Sequence, residues 1–370
     1  MGDKMRPIPF KQLLRWITEE YRSQWTIFGI PESQFFIKEN GKSIQIFDES
    51  CATPVGPAAG PHTQLTQNII AAYLVGGRFF EIKTVQKLDS LKFEKPCIDA
   101  RDEGYNTEWS TELSLEQAYD EYLKAWILLH FIEAVFDMQV SLKQSFIFNM
   151  SVGYDLEGIK TPRMDAFINS LTDASEHPLF KRHLEELSSF IRDANFSEIL
   201  HTKGKVKSLE NISSLISPHI ARSVTLSTMH GCPPEEQEAI CRYLIVEKKL
   251  NTFVKLNPTL LGYKLVRKIL DELGFNYINI KESTFTNDLQ WDDAIGMLKR
   301  LSKAATECGR NFGVKLSNTL GTVNTLGVLP GEEMYLSGRI LFPLTITLAS
   351  RLSREFKGAL PISYSGGASQ

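Results

Sequence analysis

Residues 79–85 read FFEIKTV. An apolar, β-branched run with a lysine inside it has the composition of a buried parallel strand, and a buried ammonium is costly unless an anion or a strong acceptor compensates it. The feature returns at 253–258, FVKLNP, with Lys255 in place of Lys83. Outward from these two runs, short apolar segments alternate with longer stretches whose apolar residues recur at helical spacing. That alternation is the pattern of an α/β fold, a parallel sheet or barrel covered by helices. Strands are predicted at 52–57, 78–85, 146–152, 223–229, 252–257, 277–281, 312–318 and 360–365, and helices at 64–74, 115–136, 234–248, 261–273, 291–308 and 342–356. The helix at 115–136 has Ser114 as its candidate N-cap, with Glu116 and Gln117 in its first turn.

Residues 1–48 read as a pre-barrel region running into GKSIQIFDES (41–50), a hairpin strand, and 49–370 as the barrel. The charged, weakly patterned stretch 170–217 reads as an insertion on the barrel rim. ISYSGGASQ (362–370) begins a strand and a glycine turn and then stops, so the chain is expected to be a fragment of a longer polypeptide. A formal net charge of −3 gives no global field toward nucleic acid. No apolar run reaches the roughly 18 residues of a membrane span, and the polar start lacks the apolar core of a signal peptide, which together predict a cytoplasmic protein with no membrane or nucleic-acid partner. Five cysteines without a CxxC spacing suggest no disulfide framework and no metal or iron–sulfur site.

In a β/α barrel the chemistry sits at the C-terminal strand ends. The first predicted strand runs into TPVGPAAGPH (53–62), whose small residues Gly56, Ala58, Ala59 and Gly60 would let a flat ligand lie against the backbone; taken alone, a tight turn explains them better. One strand-end lysine is more often a rim salt bridge. Lys83 and Lys255 together, with Asn149 in FIFNMSVG (146–153) and Asn318-Thr319 in GVKLSNTLG (313–321), look like a convergent site. These residue types suit a reduced flavin: a lysine stabilises the negative charge near N1 and the C2 oxygen, and asparagine amides match the pyrimidine edge. Gly366-Gly367 could offer backbone N–H groups to a phosphate, though most such pairs are turns. His62 serves equally well as a cap or as a functional group.

TPVGPAAG, GGRFFEIKTV, KPCIDARDEGYNTE, FIFNMSVG, VTLSTMHG, FVKLNP, GVKLSNTLG, YLSGR and ALPISYSGG resemble, in order over roughly 50–370, the motifs of the dihydroorotate and dihydropyrimidine dehydrogenase flavin barrels. MRPIPF, FGIP, CATPVGPAAGPHTQLTQNI and NTEWSTEL resemble more closely the amino-terminal part of the YgfK-like selenate reductase subunits. The resemblance implies a (β/α)8 TIM barrel of the dihydroorotate dehydrogenase type, truncated at its C-terminal end, with FMN as cofactor. It makes Ala58, Ala59, Lys83, Thr84, Asn149, Lys255, Asn318, Thr319, Gly366 and Gly367 flavin contacts and Asn106 a substrate contact. Iron–sulfur clusters and an NAD(P)/FAD site are implied only for parts of the longer protein, and the implied partners are a small-molecule substrate and redox modules or subunits, a molybdenum-containing one among them.

The match departs at the fourth strand, where Thr228 stands at the family's catalytic Cys or Ser position, Thr225 replaces a flavin-binding asparagine and His230 takes a substrate-side position. A threonine hydroxyl is too weak an acid to serve as a base unaided, so Thr228 would need a relay through water or His230, and Cys232 could substitute. The motif match also makes 312–318 the sixth strand and 360–365 the seventh, leaving 277–281 unassigned and the eighth beyond Gln370. The first functional reading is an FMN-dependent oxidoreductase module passing hydride or electrons to neighbouring redox modules. A catalytically inactive assembly scaffold and a metal-dependent hydrolase are the alternatives; flavin colour or bound zinc separates the three. Lys83, Lys255 and Thr228 are all expected to face one barrel mouth, with Thr228 near Asn106 and His230.

Overall fold

A computed structural model describes residues 5–367 apart from 39–41, 93, 101–103, 108–111, 137, 139–144, 194–208, 210, 229, 326 and 328. Nine helices of the described residues carry the shell: α1 (Phe10–Gln24), α2 (Thr66–Leu74), α3 (Leu115–Phe136), α4 (Pro162–Thr172), α5 (Pro178–Ile191), α6 (Pro234–Arg242), α7 (Tyr263–Glu272), α8 (Trp291–Glu307) and α9 (Leu341–Glu355). The strands that matter below are β1 (Ile44–Ile46), β2 (Glu49–Cys51), β3 (Phe79–Glu81), β4 (Tyr105–Asn106), β5 (Ile147–Gly153), β6 (Ala221–Ser227), β7 (Asn251–Leu256), β8 (Phe312–Leu316), β9 (Leu320–Val323), β10 (Glu333–Leu336) and β11 (Ile362–Tyr364).

The central sheet is parallel and curled, in the order β3-β5-β6-β7-β8-β11, with helices outside it. Segment 52–57 is the first stave, lying beside β3 without forming a regular strand, and makes β3 the second and β11 the seventh. Pro54 and Pro57 have no N–H to give, and it is the carbonyls that pair: Val55 O accepts from Arg78 N and Phe79 N at 2.7 and 3.2 Å, and Pro57 O from Glu81 N at 3.2 Å. Gly56 is required for this approach, because a Cβ there would stand 1.8 Å from Phe79 O. The predicted strand at 277–281 is absent. Those residues form turns and an open loop leading to the short helix Glu282–Thr286, and β8 pairs with β7 and β11 instead, so the sixth and seventh staves stand where the motifs placed them. Among the described residues no strand joins β11 to segment 52–57.

Sequence logic holds well for the helices. Ser114 Oγ accepts from Gln117 N at 3.2 Å while Gln117 Oε1 accepts from Ser114 N at 3.0 Å, a reciprocal capping box opening α3. The α2 start has no cap of its own; Glu121, fully buried in α3, accepts from Thr66 N at 2.7 Å and from Thr66 Oγ1 at 2.8 Å. The predicted helix 234–248 is α6 followed by a wider π turn at Tyr243–Glu247. Helix α5, in the stretch read as a rim insertion, packs on α1 and α3 as an outer layer, its His183 ring 4.7 Å from Phe10 and bonded to Asp120 at 2.7 Å.

Hairpin β1–β2 seals one end of the sheet. Phe47 at its turn stacks on Phe253 (4.5 Å, 26°), and Cys51 packs with Phe79, Ile147 and Phe253, residues at or near the N-terminal ends of β3, β5 and β7. The boundary drawn at residue 48 falls within this hairpin. With the N-terminal ends plugged by apolar side chains, the end of the sheet that is open to a ligand among the described residues is the C-terminal one.

His130 of α3 reports on the core. Its ring lies between Trp126 and Phe146, at 4.7 and 5.1 Å, and burial pushes it from its ordinary 6.5 down to about 4. Above pH 6.5 the ring is neutral in both states. As pH falls from 6.5 toward 4 the unfolded chain takes up a proton that the fold refuses, so stability is expected to decline by on the order of 3 kcal/mol through this group. Urea unfolding over that range should show a smaller decline in His130→Leu; an identical pH dependence in both proteins would assign the acid loss to other groups.

Candidate functional site

The open end holds a cleft of about 1180 Å³. Strand periodicity explains what lines it. Inward-facing positions alternate along each stave, so Glu81 and Lys83 share the inner face of the second stave, Asn149, Ser151 and Gly153 that of β5, Thr225 and Ser227 that of β6, and Lys255 and Lys315, in register on adjacent strands, those of β7 and β8. Lys83, Thr84, Ala59, Asn106, Thr228, His230, Lys255, Asn318 and Thr319 all line the cleft. The structure thus brings together these nine residues that the sequence singled out, and Gly60 and His62 with them, with both lysines at one mouth.

Asn149 sits a layer lower. It is fully buried, donates through Nδ2 to Thr225 Oγ1 at 2.7 Å, and its Oδ1 has no partner among the described residues. Thr225 in turn donates to Glu81 Oε2 at 3.3 Å, and the same carboxylate pairs with Lys315. This buried chain is the largest feature missing from the sequence reading, which left the compensation of the buried cations to a bound anion; Glu81, 1% exposed, supplies a carboxylate from inside. Its signal was present, since Glu81 lies two residues before Lys83 in the same apolar run. Lys255 is half-buried and pushed down from its ordinary 10.5 to about 8 by burial, with Glu81 raising it and Lys315 lowering it further.

A second, four-stranded antiparallel sheet, β9-β10-β4 with the two-residue strand Ile98–Asp99 at its edge, walls the mouth and was not anticipated. The turn-rich GVLPGEE between two short apolar runs (327–333) was the available signal. Tyr335 of β10 lies opposite Asn106 of β4, and Asn106 Nδ2 donates to Ser337 Oγ at 3.4 Å while its buried Oδ1 has no partner among the described residues. His62 lies in the turn after the first stave, its ring so close to Gly60 that a Cβ there would stand 2.6 Å away. Burial lowers His62, and a backbone bond to Ala58 opposes this.

Ala58, Cys232, Gly366 and Gly367 are outside the lining. Gly366 and Gly367 form a turn with φ of 113° and 71°, pressed on Gly338 so that a Cβ on Gly367 would stand 2.2 Å from Gly338 O. Burial raises the Cys232 thiol to about 11, Glu236 adds to this and a bond with Thr228 opposes it. At neutral pH Cys232 is therefore a thiol rather than a thiolate.

His230 is backed by a group that the sequence did not reveal. Asp288, with its side chain 1% exposed, lies 3.6 Å from His230 Nδ1. Its Oδ2 accepts from Asn257 Nδ2 at 2.8 Å and Thr259 Oγ1 at 2.6 Å, and its Oδ1 from Gly231 N at 3.3 Å and Leu289 N at 3.0 Å. Burial pushes the carboxyl up, but the nearby His230 imidazole and the bonds from Thr259 and Asn257 outweigh it and bring it down to about 2. The other face of the arrangement is aromatic: the His230 ring stacks on Tyr335, centroids 5.6 Å apart and planes 7° apart.

Among the described residues no helix is long and apolar enough to cross a membrane. Comparison with solved structures finds a DHODH of Eimeria tenella, determined with ferulenol, at 14% identity and a TM-score of 0.45 over 98% of this chain and 81% of that one. Two Escherichia coli proteins, of strain K12 and of O157:H7, each bearing the name "Putative oxidoreductase YgfK", are 60% identical over all 370 residues. The chain spans 36% of the length of these curated relatives. The profile of the N-terminal TIM-barrel domain of oxidoreductase YgfK matches residues 28–370, and with the curled parallel sheet and its open C-terminal end this places the chain in that family.

Proposed function

We propose that this domain is the FMN-dependent oxidoreductase module of a longer cytoplasmic protein, exchanging hydride or electrons between a small substrate and further redox modules. The observation that carries the reading is the convergence of Lys83, Lys255, Asn106, Asn318 and Thr319 on one cleft at the C-terminal strand ends. The residues fit the group. Two ammonium groups suit the pyrimidine edge of a reduced flavin, and the unpartnered Oδ1 atoms of Asn106 and Asn149 are acceptors that a ring N–H or a bridging water would satisfy.

Bound there, a flavin supplies hydride or single-electron transfer. The chain's own part is to hold it, to keep cations against its polar edge, and to close the mouth with the wall sheet carrying Tyr335 and Ser337. Iron–sulfur and pyridine-nucleotide modules, and a molybdenum-containing subunit, are the partners this reading calls for. Reduction of an oxyanion such as selenate, which needs oxygen transfer at a metal centre, is assigned to such a partner rather than to this cleft.

Acid release and chromatography of the full-length protein, purified from its own host, tests the reading. About one FMN per chain, recoverable by adding FMN to the stripped protein, is expected. Less than a tenth of that amount, with no uptake on reconstitution, overturns it and leaves the scaffold role of a barrel whose catalytic position is occupied by Thr228.

A further inference from the structure

We infer that Asp288 is the positioning residue that makes His230 the proton carrier of the cleft, with Asn257 and Thr259 holding the carboxylate in place. The assignment follows from what each candidate can do. Thr228 offers only a hydroxyl, and Cys232 is held as a thiol outside the lining. His62 lies against its own turn, beside Gly60 and Ala58.

Among the described residues His230 alone couples a cleft-lining imidazole to a buried carboxylate. Asp288 has four further donors distributed over both its oxygens, so it is fixed in direction and stays ionised whichever state the ring adopts. Both ring nitrogens are buried and neither makes a hydrogen bond among the described residues; Nδ1 faces the Asp288 carboxylate at 3.6 Å, and Nε2 has no charged group against it there. The parallel stack on Tyr335 then fixes the ring plane. An imidazole that faces a carboxylate at one nitrogen, with its plane fixed by a stacked ring, has its other nitrogen placed to give or take a proton.

The step is proton transfer only. The Nε2–H bond breaks, the proton forms a new bond on the substrate, and the ring is left neutral beside an ionised Asp288; in the other direction the same bond re-forms. No electrons change hands in it. The reaction it serves rests on the flavin reading above. Among the described residues the other ionisable groups around His230 are Tyr335 stacked on it, Cys232 two residues on, and His62, Lys83, Lys92, Glu94, Tyr154 and Lys255 in the same cleft.

Ethoxycarbonylation by diethyl pyrocarbonate takes only a neutral imidazole and can be read residue by residue through peptide mass spectrometry of the full-length protein, with neither flavin nor substrate involved. Failure here is therefore distinct from failure of the flavin assay. The quantity read is the His230 rate at pH 6 divided by that at pH 8.5, which cancels changes in accessibility. Removing the carboxylate charge in Asp288→Asn should raise this ratio about three- to tenfold, leave it unchanged for His62, and be reversed in Asp288→Glu. A ratio within 1.5-fold of the unmodified protein overturns the pairing. Should Asp288→Asn fail to accumulate, Thr259→Val carries the test: the same carboxylate with one donor fewer should hold the imidazolium proton more tightly and lower the ratio about twofold, and an unchanged ratio overturns the proposal equally.

Discussion

Replacing Glu81 with leucine is expected to cost about 3–5 kcal/mol of folding stability, the range for breaking a buried ion pair by removing one partner. Glu81 and Lys315 are 1% and 3% exposed and pair across the barrel interior from the second and sixth staves, with Thr225 bonded to the same carboxylate. Without Glu81 the Lys315 ammonium has lost its buried counter-charge, and Lys255, whose proton Glu81 helps to retain, lies in register beside it. The double variant Glu81→Leu/Lys315→Met should recover most of the loss, because two apolar side chains of similar volume need no compensation. Urea unfolding followed by tryptophan fluorescence measures both. A single variant within 1 kcal/mol of the unmodified protein, or a double variant no better than the single one, would show that the pair does not hold the barrel interior together.

Lys83→Met and Lys255→Met are each expected to weaken FMN binding about ten- to a hundredfold, since a hydrogen bond to a charged group contributes about 1.5–3 kcal/mol. Both side chains line the cleft from different staves, so neither can replace the other. Titration of stripped full-length protein with FMN, read by quenching of the flavin fluorescence, gives the constants. The pH dependence separates the two lysines. Lys255 in the fold loses its proton near pH 8, well below its ordinary 10.5, so the ammonium is present below pH 8 and lost above it. Affinity of the unmodified protein should therefore fall as pH rises through 8, and Lys255→Met should show no such fall. Affinities within twofold of the unmodified protein in both variants would remove the lysines from the cofactor site.

Much of this protein is written locally. The helices were legible because they rest on periodicity and on caps made by neighbours in sequence: the two ends of the Ser114–Gln117 box are three positions apart. Lys83, Lys255, Asn318 and Thr319 were legible because a polar residue within or just after an apolar run must face inward or lie at a strand end, and both choices lead to one mouth in a parallel barrel. The wrong strand at 277–281 shows the reverse case. YINIK has strand composition, but a strand exists only through a partner edge, and β8 gives its edges to β7 and β11.

Tertiary structure alone decided how charge is balanced inside. Lys315 is 234 residues from Glu81 and Asp288 is 58 from His230, and no spacing rule relates either pair. A buried charge must find its partner wherever the fold brings one, so the sequence determined which residues would carry cost in the interior, and the closing of the sheet determined which of them share it. Asn257, Thr259 and Gly231 converge on Asp288 for the same reason: a carboxylate out of water collects whatever donors surround it.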